Sequence, residues 1–458
     1  MNFATELEHF GDRIALVSDQ GEKLSYTELA ALSDSIFTSN SAPVAPALVA
    51  IECDNSLVKI AAYLGALRAG IPALLVDGKL DVSLKEALYS HYGITYICLG
   101  HHWLVRPEVK SIDVHPDVAL LLSTSGSTGS QKLVKLSNQN LHSNAVSIAE
   151  YLGITADERP ITVLPIHYSY GLSVINSHLV VGATLLVTGE PVTSKHFWCF
   201  FKEHAATSFS GVPATYKMLK QLRFERMDLP SLTHFTQAGG RLSPDLVEWF
   251  NHYAVNTGRR FFVMYGQTEA TARISFVPFE LLGEKKSSIG IAIPGGVLSL
   301  IDEAGNVIDN SHVKGELCYC GENVMMGYAT DIYSLSEPDT QNGFLATGDL
   351  AWRDEDGYYF IAGRLKRFIK VFGNRIGLDE VEAQLHSEGY DVVVTGEDDG
   401  LMIAVRSNCN LLDLKTSIAQ RYHFHPSAIH LFKVDDFPLS SAGKVRYADL
   451  LEQLKLQK

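Results

Sequence analysis

The sequence predicts an α/β protein: a large N-terminal lobe of doubly wound sheets plus a small β-rich subdomain, followed by a small α+β C-terminal lid. Three observations predict it. Short apolar runs alternate with helix-period segments through residues 47–264, the mark of βαβ units and parallel strands. Glycine turns and short strands dominate residues 287–328. Beyond Gly363-Arg364-Leu365-Lys366 a strand, a helix, two strands and a second helix follow in under a hundred residues, enough for a separate small domain.

In order, Ser25 and Glu28 flank the start of an apolar helical pattern, as a hydroxyl cap and a first-turn carboxylate do. Residues 47–51 read as a strand, 59–69 as a helix stopped by Gly70, and 71–76 as a second strand. The apolar run 118–122 reads as a buried strand that empties into Thr124-Ser125-Gly126-Ser127-Thr128-Gly129-Ser130-Gln131-Lys132. That loop holds two glycines, five hydroxyl residues and a lysine in nine positions. Glycines that accept positive φ, hydroxyl donors and a cation suit polyphosphate oxygens. A Ser/Thr/Gly-rich surface turn has the same composition. It is not the common nucleotide-triphosphate loop, because Lys132 follows Gln131 and precedes Leu133.

A helix is expected over 137–151 and a strand over 159–164. Pro165-Ile166-His167-Tyr168-Ser169-Tyr170-Gly171-Leu172 then lies where a strand ends, the place ligands occupy in open α/β sheets. His167, Tyr168 and Tyr170 also suit a core. Strands over 180–187 and 208–213 bracket a helix over 194–204. Gly239 and Gly240 follow the next apolar segment and leave room for a flat group against backbone. The strand 261–264 delivers Tyr265-Gly266-Gln267-Thr268-Glu269, which offers a ring to stack on a base, a hydroxyl for a phosphate and a carboxylate for Mg²⁺. A strand end with a capping threonine is the plain alternative. Asp356-Gly357 between two β-rich runs predicts a hairpin. In the C-terminal part, strands are expected at 368–371, 392–395 and 401–405, helices at 378–387 and 411–422, and a glycine-hinged loop at Gly443-Lys444.

Composition narrows the function. The formal charge of -14 argues against a generic nucleic-acid or anionic-membrane binder. The six cysteines are scattered, which suits a reducing compartment, and Cys318 and Cys320 alternate along a probable strand with no second ligand pair for a metal. Neither a signal peptide nor a membrane span is evident, so a cytoplasmic enzyme is expected.

Six motifs in order, Thr124-Ser125-Gly126-Ser127-Thr128-Gly129 with Lys132, Tyr265-Gly266-Gln267-Thr268-Glu269, Gly315-Glu316-Leu317, Thr347-Gly348-Asp349, Gly363-Arg364-Leu365-Lys366 and Gly443-Lys444, resemble those of the adenylate-forming superfamily. That superfamily groups acyl-CoA synthetases, peptide-synthetase adenylation domains and firefly luciferase. The resemblance covers nearly the whole chain. It implies an AMP-binding domain over 1–363 and a mobile lid over 364–458 that turns near Lys366. Residues 124–129 and Lys132 would wrap the ATP phosphates, with Thr124 and Glu269 at Mg²⁺. Tyr265 and Gly266 would face adenine, Thr268 the α-phosphate, and Asp349 and Arg364 the ribose. Lys444 would stabilise the first half-reaction, and Lys370 would serve the second.

The implied reaction is activation of a carboxylic acid with release of pyrophosphate, then transfer to a thiol. Tyr168 takes the family's gate position, with Ser169, Gly171, Gly239 and Gly240 around the acid pocket. No carboxylate occurs between Pro165 and Ile175, so an α-amino acid, whose ammonium would be buried unpaired, is disfavoured against an aryl or fatty acid. CoA is favoured as acceptor, with the phosphopantetheine arm of a carrier protein as the alternative. A noncatalytic nucleotide-binding relative and a luciferase-like oxygenase are the readings from other classes. Gln131 and Leu133 depart from the family's usual proline and glycine around the loop lysine.

Overall fold

The computed structural model describes all residues except 1, 40–41, 44–46, 107–111, 124–131, 366, 372–373, 408, 423–424, 441–442 and 458. It divides into two compact units. The first comprises Met1–Thr124, Ser130–Leu298 and Tyr319–Leu345, and the second Ser299–Cys318 and Ala346–Lys458. The expected boundary after residue 363 thus falls inside the second unit.

Two sheets build the first unit. One has seven strands in the order Gly327–Ala329, Leu133–Ser137, Val118–Ser123, Ala73–Asp77, Val49–Cys53, Tyr96–Cys98 and Trp103–Val105. Its central strands run parallel, with antiparallel pairs at both flanks. Leu48, Val49, Ala50 and Ile51 are all buried, so the run shows no alternation, as expected for a strand covered on both faces. The helix Leu57–Ala69 that follows ends on Gly70 at φ 64°, a left-handed stop. Asn138–Leu152 starts with a capping box in which Ser137 and Asn140 satisfy each other's backbone N–H.

The other sheet has nine strands. Pro160–Ile161, Ser208–Gly211, His234–Gln237 and Arg260–Tyr265 lie side by side and parallel, so their C-terminal ends open on one edge. Aromatic rings fill the face below: Phe209 stacks on Phe235 at 5.6 Å, and Phe235 on Phe261 at 4.9 Å between centroids. Such pairs contribute about 0.5–1.5 kcal/mol each beyond burial. They hold the strands from which the site loops spring.

One expectation needs correction here: the strand expected over 180–187 is only Leu185–Val187, and it is preceded by a helix, Ser169–Leu179, for which the sequence gives no signal. Every helix residue from Ser169 to Leu179 except Val174 is buried, so the helix carries no polar stripe to reveal its period.

In the second unit, a four-stranded sheet orders Val297–Ile301, Gly315–Cys320, Phe344–Arg353 and Tyr359–Arg364. The hairpin at Asp356-Gly357 is present, with Gly357 at φ 86°. Helices Leu378–Ser387 and Leu411–Tyr422 pack with the three-stranded sheet Val392–Glu397, Gly400–Val405 and Ile429–Lys433 around Val381, Leu385, Ile403 and Ile418. A last helix, Tyr447–Lys455, was not anticipated. Among the described residues no helix is long and apolar enough to cross a membrane. Cys318 is buried and Cys320, at the end of the same strand, is exposed, so core packing explains only the first.

Candidate active site

The strand Arg260–Tyr265 ends at Tyr265, and the chain turns at once. A Cβ on Gly266 would lie 1.8 Å from the Ala272 carbonyl oxygen, so only glycine allows this return. Thr268–Ala270 forms one short 3-10 turn. Next, Ala272 N–H donates to the Ala270 carbonyl at 2.6 Å across Thr271, which sits at φ 62°. This is a γ-turn with positive φ at a β-branched residue, a conformation that costs about 1–3 kcal/mol and survives only where its surroundings hold it. They do: Thr271 Oγ1 donates to the Asn323 carbonyl at 2.7 Å, and the Asn323 amide donates to the Ala270 and Arg273 carbonyls.

The product is a fixed Glu269. Its carbonyl accepts from Met325 N–H at 2.9 Å, and its carboxylate Oε1 accepts the Tyr328 hydroxyl at 2.8 Å. Tyr328 lies on the strand Gly327–Ala329, which pairs with Leu133–Ser137, and the Lys132 ammonium rests 3.8 Å from the centre of its ring. Burial, and then the Glu269 charge, push the Tyr328 phenol well above its usual pKa, so it stays a donor. One carboxylate oxygen is thereby occupied by a neutral donor. Among the described residues no cluster of three His, Cys, Asp or Glu side chains could hold a metal. A single hard oxygen ligand fits Mg²⁺ bound mainly through substrate phosphates and water.

The acid-pocket candidates come together at the same edge. Thr268 Oγ1 lies 3.1 Å from Ser169 Oγ, which joins the turn to the first residue of the helix Ser169–Leu179. Tyr168 caps that helix in extended conformation without a side-chain cap bond. Gly239 has φ 80°, and a Cβ there would meet the Tyr168 hydroxyl at 2.5 Å, so the phenol lies across this glycine. On Gly240 a Cβ would press on Pro213 at 3.2 Å, and on Gly171 it would strike the Pro165 carbonyl oxygen at 2.2 Å. Burial pushes the Tyr168 phenol up to about 12 despite the Arg273 charge. The Tyr170 hydroxyl instead bonds Thr236 at 2.8 Å, a core role. His167 stands 3.8 Å from Asp77, and burial lowers its pKa.

The second unit carries the remaining candidates. Asp349 and Arg364 are opposite each other on neighbouring strands, with Arg364 Nε 3.1 Å from Asp349 Oδ1. The carboxylate is 5% exposed and the guanidinium 65%, so the acid is set by the sheet and the base reaches outward. Gly348, at φ 72°, donates its N–H to Glu316 Oε1 at 3.2 Å, which links two of the motifs. Lys444 closes a tight turn: Ser440 N–H donates to its carbonyl at 2.7 Å, and Lys444 N–H donates to Ser440 Oγ at 3.1 Å. The backbone of Lys370 lies in the strand Phe368–Val371. Its side chain, Lys366, and Thr124, Ser125, Gly126, Ser127, Thr128 and Gly129 lie outside the described residues.

Sequence reasoning missed Tyr328 and Arg273. The first sits in an ordinary-looking Gly-Tyr-Ala strand. The second is detectable as a lone charge in Ala270-Thr271-Ala272-Arg273-Ile274, a segment otherwise small or apolar.

Residues 84–329, more than half of the chain, match the family model described as AMP-binding enzyme. The chain belongs to that family. It is 30% identical over 362 residues to a probable 4-coumarate–CoA ligase 1 of Dictyostelium discoideum, covering 74% of this chain and 63% of that one. It is 28% identical over 342 residues to a 2-succinylbenzoate–CoA ligase of Staphylococcus aureus, covering 72% and 66%. The chain thus spans under two thirds of the length of the Dictyostelium relative. In fold it is similar to the o-succinylbenzoate CoA synthetase of Bacillus subtilis in complex with its acyl-adenylate intermediate. There the TM-score is 0.80 at 22% identity, over 98% of this chain and 97% of the other.

Proposed function

We propose that the protein activates a small carboxylic acid with ATP, releases pyrophosphate, and passes the acyl group from the adenylate to a thiol, most readily that of CoA. The observation that supports this best is the fixed Glu269, held by Tyr328 and Met325 in the same turn as Tyr265 and Thr268, in a chain of the AMP-binding family.

A carboxylate is a poor electrophile because resonance stabilises it and oxide is a poor leaving group; joining it to AMP removes both obstacles. A carboxylate oxygen of the substrate attacks the α-phosphorus, and the bond from that phosphorus to the pyrophosphate oxygen breaks. Thr268 donates to an α-phosphate oxygen, Tyr265 lies against adenine, and Asp349 accepts from the ribose hydroxyls beside Arg364. Lys444, a preorganised cation, stabilises the charge that builds on the entering oxygens; removal of such a donor costs on the order of a hundredfold in rate. Mg²⁺ at the Glu269 carboxylate would offset the charge of the phosphates. In the second step the thiol sulfur attacks the acyl carbon, AMP departs, and the thiol proton passes to solvent. The domain reading belongs to the same proposal, with a lid over 364–458 that turns at Lys366 to exchange Lys444 for Lys370. A cytoplasmic setting accords with the free cysteines.

The absence of a carboxylate between Pro165 and Ile175 supports an acid without an α-ammonium group. The names of the relatives, 4-coumarate, oxalate and 2-succinylbenzoate ligases, point the same way. The test is ATP–pyrophosphate exchange across aryl, aliphatic and amino acids, followed by mass spectrometry with CoA and with a phosphopantetheinylated carrier protein. An acid-dependent exchange with an acyl-CoA product supports the reading. Acylation of the carrier alone replaces CoA as acceptor, and no exchange with any acid, despite bound ATP, supports a noncatalytic relative.

A further inference from the structure

Tyr328 makes two polar contacts at once. Its hydroxyl donates to Glu269 Oε1 at 2.8 Å, and the Lys132 ammonium rests over its ring, 3.8 Å from the centre. The cation therefore meets the face of the ring and the carboxylate meets its hydroxyl edge. Among the described residues Lys132 forms no ion pair and no hydrogen bond, so its N–H donors are not committed to the protein. It does not pair with Glu269 either, although both are held by one side chain. Lys132, Glu269 and Tyr328 are all half-buried, so each keeps part of its surface in solvent.

Strand pairing brings the three together. Tyr328 lies opposite Val134, across the antiparallel pair of Gly327–Ala329 with Leu133–Ser137. Lys132 is two positions before Val134, so the alternation of extended chain sends both to the face on which the Tyr328 ring stands. Just before the strand of Tyr328, Met325 N–H holds the Glu269 carbonyl. Opposite charges this close gain by pairing, and an aliphatic side chain at this position would leave nothing between them. A tyrosine gives each charge its own place, the cation on the ring face and the carboxylate on the hydroxyl. The ligand that suits such a separated pair carries both signs, anionic oxygens for Lys132 and a cation for Glu269. A metal-bound phosphate does so, whereas a bare anion or a bare cation serves only one of the two.

We infer that Tyr328 is a positioning residue that acts as a spacer: its ring keeps the Lys132 ammonium from pairing with Glu269, so that both charges stay available to the metal–phosphate part of ATP. The inference rests on the proposed acid activation for the nucleotide that it names. It goes beyond the hydrogen bond to Glu269 because it gives the ring a task separate from that of the hydroxyl.

The experiment measures binding of ATP with the metal chelated, by calorimetry, in a double-mutant cycle of Lys132→Met and Glu269→Gln. Metal-free ATP meets Lys132 without needing Glu269, so the cycle reads whether the carboxylate competes for the ammonium. With Tyr328 in place the two substitutions are expected to act independently, to within about threefold. Tyr328→Phe keeps the ring and is expected to give the same result. In Tyr328→Leu and in Tyr328→Met, Glu269→Gln is expected to strengthen binding about tenfold more with Lys132 present than in the Lys132→Met background, because it releases the ammonium. Strong coupling with the ring present would overturn the inference, as would its absence in the apolar variants, which would mean that the ring only fills space. If neither apolar variant folds, the wild-type and Tyr328→Phe cycles still decide: independence supports the spacer, and coupling of about tenfold overturns it. Calorimetry needs no turnover, so a lack of exchange with every acid removes the proposed reaction and leaves this result standing. A wild type that binds no ATP overturns both.

Discussion

Replacing Tyr328 by phenylalanine removes one hydroxyl and keeps the ring. The ring still takes the Lys132 ammonium, and the strand Gly327–Ala329 still pairs with Leu133–Ser137, so the fold should lose little. What is lost is the 2.8 Å hydrogen bond to Glu269 Oε1. Bonds to a charged acceptor contribute about 1.5–3 kcal/mol. Glu269 is only half-buried and water can replace part of the bond, which puts the expected loss near the lower end, about 1.5 kcal/mol. In rate that is roughly tenfold in kcat/KM for Mg·ATP. The assay is pyrophosphate exchange at saturating acid with Mg²⁺ and ATP varied together and separately. The requirement for Mg²⁺ should rise while the KM for the acid stays put. Exchange within about twofold of wild type at every Mg²⁺ concentration would refute the idea that Tyr328 orients Glu269.

Other outcomes follow from the same geometry. His178 and His234 are buried, and burial first lowers their pKa values to about 4 and about 3 from 6.5, with Arg260 and His178 adding to the second. Because the unfolded chain binds these protons and the folded one does not, stability is whole above pH 6.5 and falls as pH drops toward 4, by up to about 1.4 kcal/mol per unit for each histidine. Urea melts at pH 7.5 and 5 test this; His234→Gln should flatten the slope, and equal stability at both pH values would contradict it. Gly239→Ala forces a side chain into φ 80° and drives its Cβ to 2.5 Å from the Tyr168 hydroxyl. About 1–2 kcal/mol of stability should be lost, with a changed KM for the acid, both read from melts and exchange kinetics.

How much was legible in the chain can be judged element by element. Helices Leu378–Ser387 and Leu411–Tyr422 each bury one face, and their apolar spacing gave both ends. Asp356-Gly357 marked its hairpin because a tight antiparallel turn needs positive φ, which Gly357 supplies. The helix Ser169–Leu179 was hidden because nearly all of it is buried. In the site, the loop carrying Glu269 announced itself by Tyr-Gly-Gln-Thr-Glu, and the structure adds why Gly266 is required there. Tyr328 and Arg273 were silent because their roles arise from contacts at long range: Tyr328 is 59 positions from Glu269, and Arg273 meets Tyr170 only after the sheet has formed. Sequence spacing reports local structure well and such meetings poorly.

The most direct test of acid activation is acid-dependent ATP–pyrophosphate exchange by the wild type beside Lys444→Ala and Lys370→Ala, with thioester formation followed in the same samples. Exchange by the wild type, its loss by about a hundredfold or more in Lys444→Ala, and its survival in Lys370→Ala with thioester formation impaired would bear out the proposed division of labour. Normal exchange in Lys444→Ala would contradict it.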